Sequence, residues 1–261
     1  MGKEREKAIK KSASQNRRRR KKSKIRLLLV LLVLVVLTVG VLGYTVLFPI
    51  GVIDVKGTTI YSKEQIIDAS KLELGDKMFA VSAKNTKNNI ITKLPYIKDV
   101  SLTRSLPGTM ILNVTADKAV YSFEQDGAYI YTNSEYKSLE KAPEPNSEAV
   151  TVKGVRLKTY ETGKTAVFEN EDKLKLAENL LTLLKQQEIK VLQIDVTEEF
   201  SQKAVIGEGI TVDFGGTADL NYKISHLKGM LNELKDKKTG YINLKSWSKS
   251  NPKAYFTNSE G

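Results

Sequence analysis

A sharp boundary between charged and apolar residues near the N-terminus constrains what this chain can become. Residues 1–26 hold 13 Lys and Arg and two Glu, whereas residues 27–48 contain no charged side chain. A helix of that length is about 33 Å long, enough to cross a hydrocarbon core of about 30 Å with its backbone groups bonded internally. The sequence therefore predicts a single membrane-spanning helix at residues 27–48.

The basic residues before this span predict its orientation. Loops rich in Lys and Arg stay on the cytoplasmic side, so we expect residues 1–26 inside the cell and the chain after residue 48 outside. The same tail can lie on anionic lipid. The residues that we expect to set the topology are Arg17, Arg18, Arg19, Arg20, Lys21, Lys22, Lys24 and Arg26.

Two other interpretations of the N-terminus fit less well. A cleaved signal peptide has a shorter apolar core and a small-residue cleavage site, but the first Ala after Ala13 is Ala69. Nucleic-acid binding would require a distributed basic face, yet outside residues 1–26 there are 29 Lys and Arg against 28 Asp and Glu. We therefore expect an uncleaved membrane anchor and no nucleic-acid partner.

The 213 residues after the span must fold by packing alone. The chain has no Cys and a single His, His226, which excludes disulfides and disfavours a transition-metal site. We expect no cofactor and no metal.

The first part of this exterior region predicts the order β-α-α-β-β. A short strand from Val52 is followed by the capping box Ser62-x-x-Gln65, which opens a helix. A second helix ends at Pro95, and two alternating strands flank the turn Leu106-Pro107-Gly108. This pattern is typical of a small α+β module.

These residues resemble the POTRA domain of the FtsQ/DivIB family of cell-division proteins. The resemblance rests on Val55-x-Gly57, on Leu94-Pro95-Tyr96-Ile97-Lys98 and on the turn from Arg104 to Pro107. Where the family commonly ends the last strand with an acidic residue before Arg or Lys, this chain has Ala116-Asp117-Lys118. That departure puts a local salt bridge in question, but not the fold.

The second exterior region predicts a strand-rich domain with two helices. Asp126-Gly127 indicates a hairpin turn, and Asn170 is a suitable cap for a helix from residue 171 to 187. Strands are expected at 191–196 and 210–214, and an apolar stripe beginning at Leu220 predicts the last helix. The sequence from Gly209 to Lys245 is also similar to the C-terminal part of DivIB.

The residues after the last helix predict a final strand, and the resemblance implies that it lies at a sheet edge exposed to a partner. If Ile242 and Leu244 face the core, the backbone is free to pair with a partner strand; an ordinary edge strand protected by Lys245 is the alternative. Trp247 lies beyond it in a polar tail, where aromatic side chains either anchor a partner or belong to a disordered end. The predicted partner-binding residues are Tyr241, Ile242, Asn243, Leu244, Lys245 and Trp247.

Catalysis is not predicted. Ser134-x-x-Lys137 and Lys238-Thr239-Gly240 superficially match penicillin-binding enzymes, but Ser134 follows a strand instead of opening a helix. Two other functions stay open: a membrane-anchored cell-wall enzyme or its direct activator, and a POTRA-type chaperone or secretion adaptor.

The resemblance implies a non-enzymatic protein that helps assemble the division complex at the septum. Its partners would be other single-span proteins of the FtsL and DivIC/FtsB type and, through them, the septal peptidoglycan synthases. The expected fold class is α+β, with one N-terminal transmembrane helix, a POTRA domain and a second mixed α/β, β-rich domain. The expected segments are a cytoplasmic tail at 1–26, the membrane helix at 27–48, the POTRA domain at 49–118, the β-rich domain at 119–246 and a polar tail at 247–261.

Overall fold

The computed structural model describes residues 28–40, 43, 48–146, 148–234 and 236–258. Residues 28–40 and residue 43 are helical. Among the described residues, no helix is both long enough and apolar enough to cross a membrane. The basic tail at 1–26 and residues 27, 41, 42 and 44–47 of the predicted span lie outside the described part of the chain.

The next elements follow the predicted order β-α-α-β-β. They are β1 Val52–Lys56, α1 Lys63–Ser70, α2 Ala83–Lys93, β2 Ile97–Ser105 and β3 Thr109–Ala116. The three strands form one sheet in the order β1-β3-β2. Ser62 caps α1 as predicted, because its hydroxyl accepts the Gln65 N–H while the Gln65 side chain accepts the Ser62 N–H.

The rest of the chain builds a larger sheet of nine strands. Its elements are β4 Tyr121–Gln125, β5 Ala128–Thr132, β6 Ser138–Ala142, β7 Val150–Lys153, β8 Leu157–Thr159, β9 Val167–Phe168, α3 Glu171–Gln186, β10 Val191–Asp195, β11 Gln202–Ile206, β12 Ile210–Gly215, α4 Leu220–Glu233, β13 Gly240–Asn243 and β14 Tyr255–Thr257. The nine-stranded sheet has the order β14-β13-β12-β11-β10-β7-β4-β5-β6, and β8 and β9 form a separate pair.

Local signals in the sequence explain several of these elements. Asp126 and Gly127 both have positive φ, as the two-residue turn between β4 and β5 requires. The Asn170 side chain accepts the N–H groups of Asp172 and Lys173 at the start of α3. These predictions are confirmed.

One face of the nine-stranded sheet carries the hydrophobic core. Helix α3 buries Ala177, Leu180, Leu181 and Leu184, and α4 buries Leu220, Ile224 and Leu227 in the same cluster. Full burial of one Leu side chain contributes roughly 1.5–3 kcal/mol, so the two helix stripes are a main source of stability.

The described chain falls into two compact units. The first comprises Met1–Asp54 so far as it is described, Leu72–Ala83 and Leu102–Leu112; the second comprises Val55–Lys71, Lys84–Ser101 and Asn113–Gly261. The second unit contains the whole nine-stranded sheet. The domain boundaries predicted at residues 118 and 246 stay predictions.

Candidate functional site

The predicted partner-binding residues lie at one end of the nine-stranded sheet. Strand β13 runs parallel to β12, with Asn243 opposite Asp213. Ile242 and Leu244 are buried in the core that α4 covers. The side chains of β13 that face the core therefore fix the strand in place.

A buried carboxylate on β12 holds this region together. Asp213 is fully buried, and its Oδ2 accepts the hydroxyls of Ser201 and Tyr241, each at 2.8 Å. The Lys245 ammonium lies 3.2 Å from the same oxygen, and the Gly215 N–H donates to Oδ1 at 2.9 Å. Asp213 thus joins β12 and β13 to Ser201, which precedes β11, and to Lys245, which follows β13.

The environment of Asp213 alters the acidity of the groups around it. Burial raises the pKa of Asp213, but the hydrogen bonds from Gly215, Tyr241, Ser201 and Lys245 outweigh it, so the pKa lies below its usual value. Burial, and then the hydrogen bond to Asp213, raises the pKa of Tyr241 to about 12. At neutral pH the pair is a carboxylate that accepts a hydrogen bond from a neutral phenol.

A second buried charge reaches the same strand end from α4. Lys223 is buried, and its ammonium donates to the Phe214 carbonyl at 2.6 Å and to the Lys245 carbonyl at 3.4 Å. Burial lowers the pKa of Lys223. Lys223 therefore ties α4 to the ends of β12 and β13.

The prediction that residues 241–245 form the sheet edge is wrong. Strand β14 pairs antiparallel with β13, Ile242 opposite Phe256, so β14 and not β13 is the terminal strand. The pairing is possible because Gly240 has no side chain: a Cβ there would lie 2.4 Å from the Phe256 ring. A three-residue strand inside a polar segment gives too short a pattern to be recognised from the sequence.

Trp247 was predicted to anchor a partner or to belong to a disordered end, but the structure places it in the core. Trp247 is 5% exposed and belongs to the hydrophobic core. Its ring centroid lies 5.9 Å from that of Tyr222 and 5.6 Å from that of His226, both on α4. Trp247 therefore secures the chain after β13 and is not accessible to a partner in this conformation.

Sequence reasoning missed a buried ion pair that involves Lys137. The Lys137 ammonium lies 2.9 Å from Asp117 Oδ2 and donates to the Ile97 carbonyl at 2.9 Å. The Asn133 amide donates to the same Asp117 oxygen at 2.9 Å. Asp117 is the carboxylate whose position departs from the family pattern, and it does form a salt bridge. Lys137, the lysine of the Ser-x-x-Lys match, thus takes part in a structural ion pair.

Two further predictions concern the topology residues and metal binding. The topology residues between Arg17 and Arg26 lie outside the described residues, so their role stays a prediction. Within the part of the chain that the structure describes, no group of three or more His, Cys, Asp or Glu side chains is placed to hold a metal ion.

The end of the nine-stranded sheet combines a fixed strand with a short terminal one. Strand β13 presents a backbone that is fixed by the core on one face and by Asp213 on the other. Its outer hydrogen-bonding edge carries three residues of β14, and main-chain pairing at such an edge is a common mode of peptide recognition.

A domain match and matches to individual proteins both point to the FtsQ and DivIB cell-division proteins. The POTRA domain of FtsQ type matches residues 48–115. Cell division protein DivIB of Clostridium tetani is 27% identical over 205 residues, which cover 76% of this chain and 76% of that protein. DivIB of Clostridium acetobutylicum is 29% identical over 201 residues, 76% of this chain and 79% of that protein.

A shorter match extends the relationship to the FtsQ branch. Cell division protein FtsQ of Corynebacterium glutamicum is 31% identical over 100 residues, 36% of this chain and 45% of that protein. The POTRA match coincides with the β-α-α-β-β elements, and the DivIB matches extend well beyond them. The chain thus contains an FtsQ-type POTRA domain and is similar over three quarters of its length to DivIB cell-division proteins.

Proposed function

We propose that this chain is a non-enzymatic assembly protein of the division complex and that it binds a partner strand along β13. The observation that carries the proposal is the contrast between two neighbouring strands. Strand β13 is fixed by Ile242, Leu244 and the Asp213 cluster, whereas β14 is only three residues long and leaves Tyr255 64% exposed.

Strand β14 is a weak cover for the edge of β13. Of its three side chains only that of Phe256 packs against the core, and those of Tyr255 and Thr257 are exposed. Residues 249–254, which precede it, are all exposed. A longer strand from a partner would form more main-chain hydrogen bonds with β13 than β14 does, and would replace it.

The proposed setting is the cell membrane at the division septum. Residues 27–48 would anchor the chain with its N-terminus in the cytoplasm, and the folded residues would lie outside. Partners of the FtsL and DivIC/FtsB type, themselves anchored in the same membrane, would meet this edge at a high effective concentration, so a modest strand contact would suffice.

The test compares the full chain with a chain that ends at Ser250. The shorter chain lacks β14 but keeps Ile242, Leu244 and Trp247, whose loss would open the core. After crosslinking in dividing cells and membrane pull-down, we expect the shorter chain to recover several-fold more of the small single-span division proteins. Equal or reduced recovery would overturn the proposal that β13 is the docking strand.

Two substitutions provide matched controls. Phe256→Ser keeps the tail but removes its apolar contact, so it should also increase recovery of the partners. Tyr255→Ser changes an exposed neighbour and should leave recovery unchanged. The fluorescence of Trp247, the single Trp of the chain, reports whether each variant is folded.

A further inference from the structure

The first compact unit carries exposed apolar side chains on two loops. Leu74 is 69% exposed and Leu106 is 61% exposed, although each lies within a few residues of fully buried core positions such as Met78 and Met110. Val52, at the start of β1, is 55% exposed. Exposed apolar side chains indicate an interaction site where they lie close together on one part of the surface.

Both loops are bonded to the same short stretch of backbone, residues 48–52, which we call the connecting segment. On one side, the Ile50 N–H donates to the Asp76 carbonyl and the Gly75 N–H donates to the Ile50 carbonyl, each at 2.8 Å. The Met78 N–H donates to the Phe48 carbonyl at 3.1 Å. The loop that contains Leu74 is therefore fixed beside the connecting segment.

The turn that contains Leu106 is bonded to the connecting segment as well. The Gly51 N–H donates to the Gly108 carbonyl at 2.8 Å, and the Val52 N–H donates to the same oxygen at 3.2 Å. Arg104, on β2, further joins the two loops, because its guanidinium donates to the carbonyls of Met78 and Val81.

The connecting segment lies shortly after the apolar helical residues in the sequence. Residue 43 is helical, and five residues further on Phe48 begins the connecting segment. Five residues of chain span at most about 18 Å, so the connecting segment, to which both loops are bonded, begins within that reach of residue 43. If residues 27–48 are anchored in the bilayer, Leu74 and Leu106 are held at its surface.

We propose that Leu74 and Leu106 insert into the outer surface of the bilayer and hold the first compact unit against it. This inference rests on the membrane anchor of the proposed function. The loops would place their leucine side chains at the boundary between headgroups and acyl chains, where apolar side chains of peripheral segments are buried about 5–10 Å deep. Val52 would add apolar contact at the rim.

The absence of Cys from the chain allows a clean test by single labels. The variants Leu74→Cys and Leu106→Cys in the full chain are labelled with an environment-sensitive fluorophore and reconstituted in vesicles of phosphatidylethanolamine and phosphatidylglycerol. Phe200→Cys is the matched control, because Phe200 is 77% exposed but belongs to the other compact unit.

With brominated acyl chains in the vesicles, labels at 74 and 106 should lose about half of their fluorescence, as expected for side chains at the acyl boundary. The label at 200 should be unaffected. If the chain floats with the vesicles but the labels at 74 and 106 fluoresce as they do in water, the inference is overturned. The proposed function is then left intact. Labels shielded from water without bromine quenching would also overturn it, in favour of a protein contact. Failure of the chain to float with the vesicles would contradict the membrane anchor itself and, with it, the inference.

Discussion

The Tyr241 hydroxyl donates a hydrogen bond to the buried carboxylate of Asp213 across the β12–β13 pair, with 2.8 Å between the two oxygens. Asp213 is fully buried, so its charge depends on the donors that surround it. This relationship links the stability of the sheet end to the position of the strand that we propose as the docking edge.

Replacing Tyr241 by Phe should therefore weaken this end of the sheet. The substitution removes one donor to a buried carboxylate, and we expect the free energy of unfolding to fall by about 1–2 kcal/mol. Urea unfolding of the detergent-solubilised chain, followed by Trp247 fluorescence, measures the loss. Tyr255→Phe, at an exposed position, is the control and should have no effect; equal losses in both variants would contradict the role given to Tyr241.

The lowered pKa of Asp213 predicts a dependence of stability on acid pH. The folded-state pKa lies below the unfolded value of about 3.9, so the carboxylate contributes stability that is present above about pH 4 and is lost as the pH falls through the folded-state pKa. Asp213→Asn should lack this contribution. The difference in urea midpoint between the parent chain and Asp213→Asn should shrink as the pH is lowered from about 6 to about 3. A difference that stays constant would mean that Asp213 does not titrate in this range.

Lys137→Met should be strongly destabilising, because it leaves the buried Asp117 carboxylate without its cation. Removing one partner of a buried ion pair costs about 3–5 kcal/mol. Lys98→Met is the matched control: its pair with Glu135, at 3.4 Å, is solvent-exposed and should be worth less than about 1 kcal/mol. Thermal unfolding of the two variants separates the cases, and similar melting temperatures would contradict the structural role of Lys137.

Gly240→Ala should release β14 from β13. The new Cβ would lie 2.4 Å from the Phe256 ring, too close for the pairing to persist unchanged. Amide hydrogen exchange at residues 255–257 should become faster, while exchange in β12 stays slow. Gly229→Ala in α4 is the control: a Cβ there meets no atom within 4 Å, and Ala should stabilise the helix by about 0.5–1 kcal/mol. Unchanged exchange at 255–257 in Gly240→Ala would show that β14 accommodates the methyl group.

Local features of the fold could be predicted because their causes lie within a few residues. The Ser62 capping box, the Asp126-Gly127 turn and the apolar stripe of α3 each combine neighbouring side chains with backbone geometry. The order β-α-α-β-β followed from such signals, and the family resemblance added the expectation of a second, strand-rich domain.

Features that depend on distant contacts could not be predicted in the same way. Strand β11 was missed because a polar residue, Gln202, occupies one of its buried positions. The burial of Trp247 depends on rings of α4 that lie 21 and 25 positions earlier in the chain. The Lys137–Asp117 pair joins residues 20 positions apart. The charge pattern that predicts the topology lies in residues that the structure does not describe.

The most direct test of the proposed docking edge is photocrosslinking from β13 in dividing cells. A photoreactive side chain at position 243, next to the β14 pairing, should form adducts with a small single-span division protein, and removal of residues 251–261 should increase their yield. The same group at position 141, on the opposite edge strand β6, should give none. Adducts at 141 but not at 243, or none that contain a division protein at either site, would contradict the proposal that a partner strand binds along β13.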